Sequence, residues 1–101
     1  MPLDRRLSQR KEVILRALIE EYVRTAEPVA SKLISDRLAA IFGSGYASAT
    51  VRNELAALEE EGLIYQPHIS AGRMPTDLGY LYFVERLMGE SQLSLDEQRL
   101  I

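Results

Sequence analysis

The sequence predicts a mainly α domain carrying one small β-hairpin, and three observations predict it. Apolar residues recur every three or four positions in three successive stretches. After Gly62 the pattern changes to a short run of strand formers bracketed by prolines, and a fourth helical pattern follows. A chain of 101 residues with 47% apolar composition has room for one domain with one core.

Ser8 has the side chain of a helix cap. Behind it Ile14, Leu18 and Tyr22, with Leu15 and Ile19 beside them, fall on one face, so a first helix is expected from about Ser8 to Ala26. It must end near Glu27, because the residue before Pro28 is pushed out of the helical region. Ser31 is the next cap candidate; Ile34, Leu38 and Ile41 then share a face until "GSG", Gly43 to Gly45, breaks the pattern with a flexible turn. Ser48 opens a third helix, "SATVRNELAALEEEG", with Val51, Leu55 and Leu58 pointing inward and Gly62 as its C-terminal stop.

"LIYQ", Leu63 to Gln66, is rich in strand formers, and Pro67 and Pro75 sit where proline is tolerated only at sheet edges. Two short antiparallel strands around a Ser70-Ala71-Gly72 tip are expected. Thr76 caps a last helix, "DLGYLYFVERLM", whose Tyr80, Phe83, Val84 and Leu87 are expected to pack back on the core. The tail "GESQLSLDEQRLI" holds a capping box, Ser94 with Glu97, before Leu100 and Ile101. Residues 1–88 therefore read as one domain and residues 89–101 as a linker and the start of a truncated helix, as expected of the N-terminal piece of a longer protein.

Composition removes several function classes. With no cysteine, disulfides, thiolate nucleophiles and cysteine-based zinc sites are excluded, which fits a reducing cytosol. No apolar run approaches the roughly 20 residues of a membrane span, and "MPLDRRLSQRKE" lacks the apolar stretch of a signal peptide. A soluble, cytoplasmic protein with no membrane partner is expected. His68 is the only histidine; nothing supplies it with a nucleophile, an orienting acid or metal-binding carboxylates at suitable spacing, and "GSG" is too short for a phosphate-binding loop. Neither an enzyme, nor a metal site, nor a cofactor is expected.

The net charge of -3 conceals an asymmetry. Residues 1–53 hold nine Lys/Arg against six Asp/Glu, and residues 54–101 hold three against nine. Nucleic-acid binding needs a basic face rather than a basic total, so the direction of the front half's arginines decides the matter.

Three helices followed by a hairpin is the layout of a winged helix-turn-helix, in which the third helix enters a major groove and the hairpin, the wing, lies beside it. At about 100° per residue, Ala49, Asn53, Ala56 and Ala57 lie opposite Val51, Leu55 and Leu58, with Thr50 and Arg52 on the flanks. The alanines permit close approach to base edges, Asn53 can pair bidentately with adenine, and Arg52 can take guanine or a phosphate. Ser48 and Thr50 can offer hydroxyls and backbone N–H groups to a phosphate at the helix N-terminus. Glu59, Glu60 and Glu61 read as a solvated face away from the groove. In the wing, Arg73 is directed to phosphate or minor groove, and His68 to a hydrogen bond or phosphate. Arg5, Arg6, Arg10 and Lys11 add a basic leader able to touch phosphate or minor groove.

"EPVASKLIS" (Glu27 to Ser35) and "SATVRNELAALEEEGLIYQPHISAGRMPTDLGYLYFV" (Ser48 to Val84) resemble the N-terminal domain of the HrcA family, the bacterial heat-inducible transcription repressors. That family's hallmarks are an "EPVGS" after helix one, an "ATIRNEM" opening the recognition helix and a "QPHTSAGRIPTDKGY" across the wing, the last long and highly specific. The resemblance covers about residues 9 to 88. It implies a homodimer binding double-stranded DNA at an inverted-repeat operator, CIRCE, upstream of chaperonin and other heat-shock genes, with chaperonin modulating the full-length protein. The recognition-helix motif falls on Ala49, Thr50, Arg52 and Asn53, and the wing motif on Gln66, Pro67, His68, Ser70, Ala71, Gly72, Arg73, Pro75 and Thr76. Ala30, Ile69, Met74 and Leu78 depart from it, and "RLAAIFGSGY" is longer than typical, which leaves the geometry of the turn between helices two and three open.

Two other uses of the same fold stay in view. One is a winged helix of a different ligand-responsive repressor, sharing the DNA face and differing in the C-terminal region; the other is a winged helix used for protein or RNA contacts, for which Arg52, Asn53 and Arg73 would be silent.

Overall fold

A computed structural model of the chain describes residues 7–88. The expected linker and further helix at 89–101, and Arg5 and Arg6 of the basic leader, lie outside them. In order, the elements are α1 (Gln9–Thr25), α2 (Ser31–Phe42), a 3-10 turn (Ser44–Tyr46), α3 (Ser48–Glu60), β1 (Ile64–Tyr65), β2 (Met74–Pro75), α4 (Asp77–Tyr82) and a π-helical continuation (Phe83–Met88). This is the predicted mainly α fold with a two-stranded wing.

α1 starts where expected, with Ser8 Oγ accepting from the Lys11 N–H at 3.2 Å. Its end has a sharper cause than Pro28 alone: Ala26 takes a left-handed conformation, φ 58°. A Cβ there crowds the carbonyl, at a cost of roughly 1–2 kcal/mol. Ala26→Gly is therefore expected to raise stability by about 1 kcal/mol, measured as a shift of the urea midpoint at constant slope; an unchanged midpoint would contradict the strain.

Ile14, Leu15, Leu18 and Ile19 of α1 pack against Ile34 and Leu38 of α2 and Val51, Leu55 and Leu58 of α3, all buried. Ile41, expected on the same face of α2, is 63% exposed. Ile41 sits in the last turn of α2, beyond the buried Ile34 and Leu38, and Gly43, φ 88°, ends the helix two residues later. The "GSG" stretch, expected as a flexible turn, folds as the 3-10 turn, with Tyr46 partly buried against the core and 5.3 Å from the ring of exposed Phe42.

α3 ends as predicted at Gly62, φ 79°, with the Gly62 N–H donating to Glu59 O and the Leu63 N–H to Leu58 O, both at 3.0 Å. This paired closure needs a left-handed residue, and the accompanying apolar contact is supplied by buried Leu58 and Leu63. β1 and β2 pair antiparallel, Ile64 opposite Pro75 and Tyr65 opposite Met74.

Three helices precede the first strand, as expected, and one isolated bridge adds to that layout. Val29, between α1 and α2, exchanges two backbone bonds with Arg73, each 2.9 Å, and so extends the wing sheet by one residue pair. Pro28 holds that segment extended, but a single pair is too short to leave a periodicity. Gly72, expected in the hairpin tip, owes its identity to contact and not to a positive φ. A Cβ on it would lie 2.3 Å from Val29 O and 2.8 Å from Ala30 N, so it is glycine because two backbones touch there.

α4 is capped by Thr76, whose Oγ1 accepts from the Gly79 N–H at 3.0 Å and donates to Gly62 O at 2.6 Å. Its inward face differs from the prediction. Tyr82, Phe83 and Leu87 are buried, whereas Tyr80 and Val84 are 38% and 43% exposed. The phase is set by Gly79, which turns inward against the Leu63 backbone. Tyr82 can then be fully buried because its hydroxyl donates to Glu12 Oε2 at 2.6 Å and accepts from the Leu7 N–H at 3.1 Å.

Candidate nucleic-acid interface

The site is built on α3 and the wing, both pressed onto the same core. With Val51, Leu55 and Leu58 buried, helical geometry turns the opposite side of α3 outward, and Ala49, Arg52, Asn53 and Ala56 are indeed exposed. Ser48 is exposed and Thr50 partly so. The predicted outward face of small residues around one amide and one guanidinium is therefore exposed, except that Ala57, expected on it, is half-buried.

The helix N-terminus differs from the expectation in one respect. Ser48 is the first helical residue, and the cap position is Ala47, which makes no side-chain cap bond. α1 and α4 have their first-turn amides capped by Ser8 and Thr76, whereas α2, like α3, starts on an alanine, Ala30, with no side-chain cap bond, so Ser31 is its first helical residue and not the expected cap. In α3 the corresponding N–H groups have no side-chain acceptor, leaving them and the positive end of the helix dipole for an anion.

The charge asymmetry resolves into a pairing pattern. Arg10 lies 3.9 Å from Glu54, Lys11 3.9 Å from Glu61, Arg16 3.4 Å from Glu20, Lys32 2.9 Å from Asp36, and Arg37 3.6 Å from both Glu20 and Glu21. Arg24 pairs with buried Glu21. Among the described residues, every basic side chain of α1, α2 and the wing has a carboxylate within reach, and Arg52 has none. Most of these exposed pairs contribute little stability; their consequence is that, among α1, α2, α3 and the wing, the positive charge without a carboxylate lies on the outward face of α3. Arg10 and Lys11, read as part of a basic leader, are drawn to Glu54 of α3 and to Glu61 at its C-terminal end.

Glu59, Glu60 and Glu61 divide. Glu60 is exposed, but Glu61 faces Lys11, and Glu59 accepts from Arg73 Nε at 3.3 Å, so the expectation of a purely solvated face is corrected for two of the three. Glu59 and Arg73 are 14 residues apart in the chain, too far for their pairing to be read from helical spacing. The ion pair holds the base of the wing to α3.

The wing apex is a His68 to Ala71 turn closed by the Ala71 N–H donating to His68 O at 3.0 Å. Gln66 fixes it: its side-chain Nε2 donates to Ile69 O at 3.1 Å and Ala71 O at 2.7 Å. Sequence reasoning left Gln66 without a role; an amide just before Pro67, in a loop with few other internal donors, was the available signal. His68, Ile69 and Ser70 are exposed at the apex. Gln66→Ala is expected to cost about 1 kcal/mol of stability, two loop bonds being lost to water, and to increase hydrogen exchange at Ala71; unaltered exchange there would contradict the clamp.

No group of three or more His, Cys, Asp or Glu side chains able to hold a metal occurs among the described residues, and none of their helices is long and apolar enough to cross a membrane.

A helix-turn-helix made of α2 and α3, with a clamped hairpin beside the second helix, defines the class of winged-helix domains. The chain is 50% identical over 95 residues to the heat-inducible transcription repressor HrcA of Herpetosiphon aurantiacus, covering 94% of this chain and 25% of that protein. Against the repressor of the same name from a Nocardioides species it is 52% identical over 93 residues, 92% of this chain and 26% of the relative. A solved crystal structure described only as that of a hypothetical protein superposes with a TM-score of 0.72 at 36% identity, covering 86% of this chain and 26% of that one. No family model matches. Over nearly all of its own length the chain is thus similar to the N-terminal part of these HrcA repressors, and it spans about a quarter of the length of the curated relatives it matches. The relatives' name is that of a transcription regulator, not of an enzyme.

Proposed function

We propose that this chain is the DNA-reading domain of a cytoplasmic heat-inducible transcription repressor. In the full-length protein it binds double-stranded DNA as a homodimer, at an inverted-repeat, CIRCE-type operator upstream of chaperonin genes, with chaperonin modulating the repressor. The observation that carries the reading is Arg52: on the exposed face of α3, beside Asn53, it lacks among the described residues the carboxylate partner that the cations of α1 and α2 have. The uncapped α3 N-terminus supports the same reading, since Ser48, Ala49 and Thr50 present amides and hydroxyls where a phosphate oxygen would lie. The relatives' names supply the repression and the heat response.

The geometry of Arg73 supports a phosphate-facing role for it. Anchored to Glu59 through Nε, it retains two Nη groups able to meet a phosphate, with His68 and Ser70 beside the backbone at the apex. Arg73→Ala is expected to weaken binding to all duplexes alike and to lower the salt slope by about one.

The reading is tested by titrating the full-length protein, over a salt series, with a duplex from the chaperonin promoter of its own genome and with a scrambled duplex. A promoter preference on the order of a thousandfold or more, with log affinity falling linearly in log salt, is expected. Equal affinity for the two duplexes would refute it.

A further inference from the structure

We infer that Ile69 reads the minor groove beside each operator half-site and selects A·T pairs there by excluding the guanine 2-amino group. The inference rests on the DNA-reading function above and adds a specificity residue outside the recognition helix.

Ile69 is 94% exposed, the most exposed of the large apolar side chains among the described residues. It does not sit on a loose loop. Its own carbonyl accepts from Gln66 Nε2, and the turn beneath it is closed by the Ala71 N–H and His68 O. Below that, Gly72 is pressed against the Val29 and Ala30 backbone, and Arg73 is held by Val29 on its main chain and by Glu59 on its side chain. The wing thus holds an isoleucine outward on a braced support. A β-branched side chain is stiff at χ1, so little rotamer freedom is lost when it docks.

The charge around it permits approach to a polyanion. Residues 66 to 73 contain no acidic side chain, in a chain of net charge -3, and the nearby Glu59 is matched by Arg73. With α3 in a major groove, a wing beside it meets the flanking minor groove, where apolar side chains are used as wedges.

The chemistry of that groove gives an aliphatic tip a discrimination it achieves without hydrogen bonds. A·T and T·A pairs present only acceptors on the groove floor, whereas a G·C pair adds the guanine N2–H2 donor. Isoleucine cannot accept from that donor, and closing over it would leave it buried and unsatisfied, a penalty A·T pairs do not incur.

The test uses the full-length protein and an operator duplex selected by it from a random-sequence pool. Each A·T pair flanking the half-sites is replaced in turn by G·C and by inosine·C, which has the G·C major-groove face but no 2-amino group. Replacement by G·C at the contacted position is expected to weaken binding by at least about fivefold, and inosine·C to restore it. Ile69→Ser, fully exposed and so without effect on folding, is expected to abolish the difference and leave the salt slope unchanged, since no phosphate contact is lost. Inosine·C binding as weakly as G·C, or an undiminished preference in Ile69→Ser, would overturn the inference. So would specific operator binding indifferent to every flank, which leaves the DNA-reading function standing. Failure to bind any selected duplex more tightly than a scrambled one would overturn that function as well.

Discussion

Gly79→Ala is expected to destabilise the domain by about 3 kcal/mol or more, at the upper end of overpacking effects. A Cβ at this position would lie 1.9 Å from Leu63 O, 2.9 Å from its carbonyl carbon and 3.3 Å from its Cα. All three are backbone atoms, and they cannot move aside as a side chain can. Leu63 itself is held from both sides: its N–H donates to Leu58 O in the closure of α3, and its carbonyl accepts from the Thr76 N–H at 3.1 Å. Relief would therefore require α4 to withdraw from the wing's base, unseating Tyr82 and its bond to Glu12. Gly45 provides the contrast. Its Cβ would meet nothing within 4 Å and its φ is not positive, so Gly45→Ala is expected to be neutral or to stabilise by a few tenths of a kcal/mol through the unfolded chain. Urea unfolding of both variants separates the cases; a cost under about 1 kcal/mol for Gly79→Ala would mean that the Leu63 backbone gives way.

Gly79 also marks the boundary between what the sequence discloses and what it does not. α1 and α3 are long and strongly periodic, so their buried residues, from Ile14 to Ile19 and from Val51 to Leu58, follow from 3.6-residue spacing. The caps at Ser8 and Thr76 and the Gly62 stop follow from local chemistry that a side chain completes within three or four residues. α4 is only six residues before it widens into a π-helix, and spacing alone allows two phases. Tertiary contact selects the phase with glycine inside, and Tyr82 rather than Tyr80 becomes the core residue. Gly72 and the Val29–Arg73 bridge belong to the same class, since two segments more than 40 residues apart define them. At the interface, the outward face of α3 was legible because it is the complement of a periodic buried face. The Arg73 to Glu59 ion pair and the Gln66 clamp were not, because both join elements whose relative placement no periodicity records.

The largest functional effect is expected at Asn53. A side-chain amide bonded bidentately to one adenine contributes about 1–3 kcal/mol of discrimination, and the proposed dimer on an inverted repeat would make the contact twice. Asn53→Ala in the full-length protein is therefore expected to cost about 2–6 kcal/mol on the intact operator and about half that on a duplex altered in one half-site. Being exposed, the residue can be truncated with little cost to folding, so the loss belongs to binding. Arg52→Ala should behave differently if its guanidinium meets a phosphate: affinity falls on operator and scrambled duplexes alike, and the slope of log affinity against log salt drops by roughly 0.9 for each phosphate released. If Arg52 reads guanine instead, its loss is confined to the operator. The two substitutions thus sort base reading from charge on neighbouring positions of one helix face. Equal losses on operator and scrambled duplexes for Asn53→Ala would remove it as a base reader, and unchanged binding by both variants would remove α3 as the element that enters the groove.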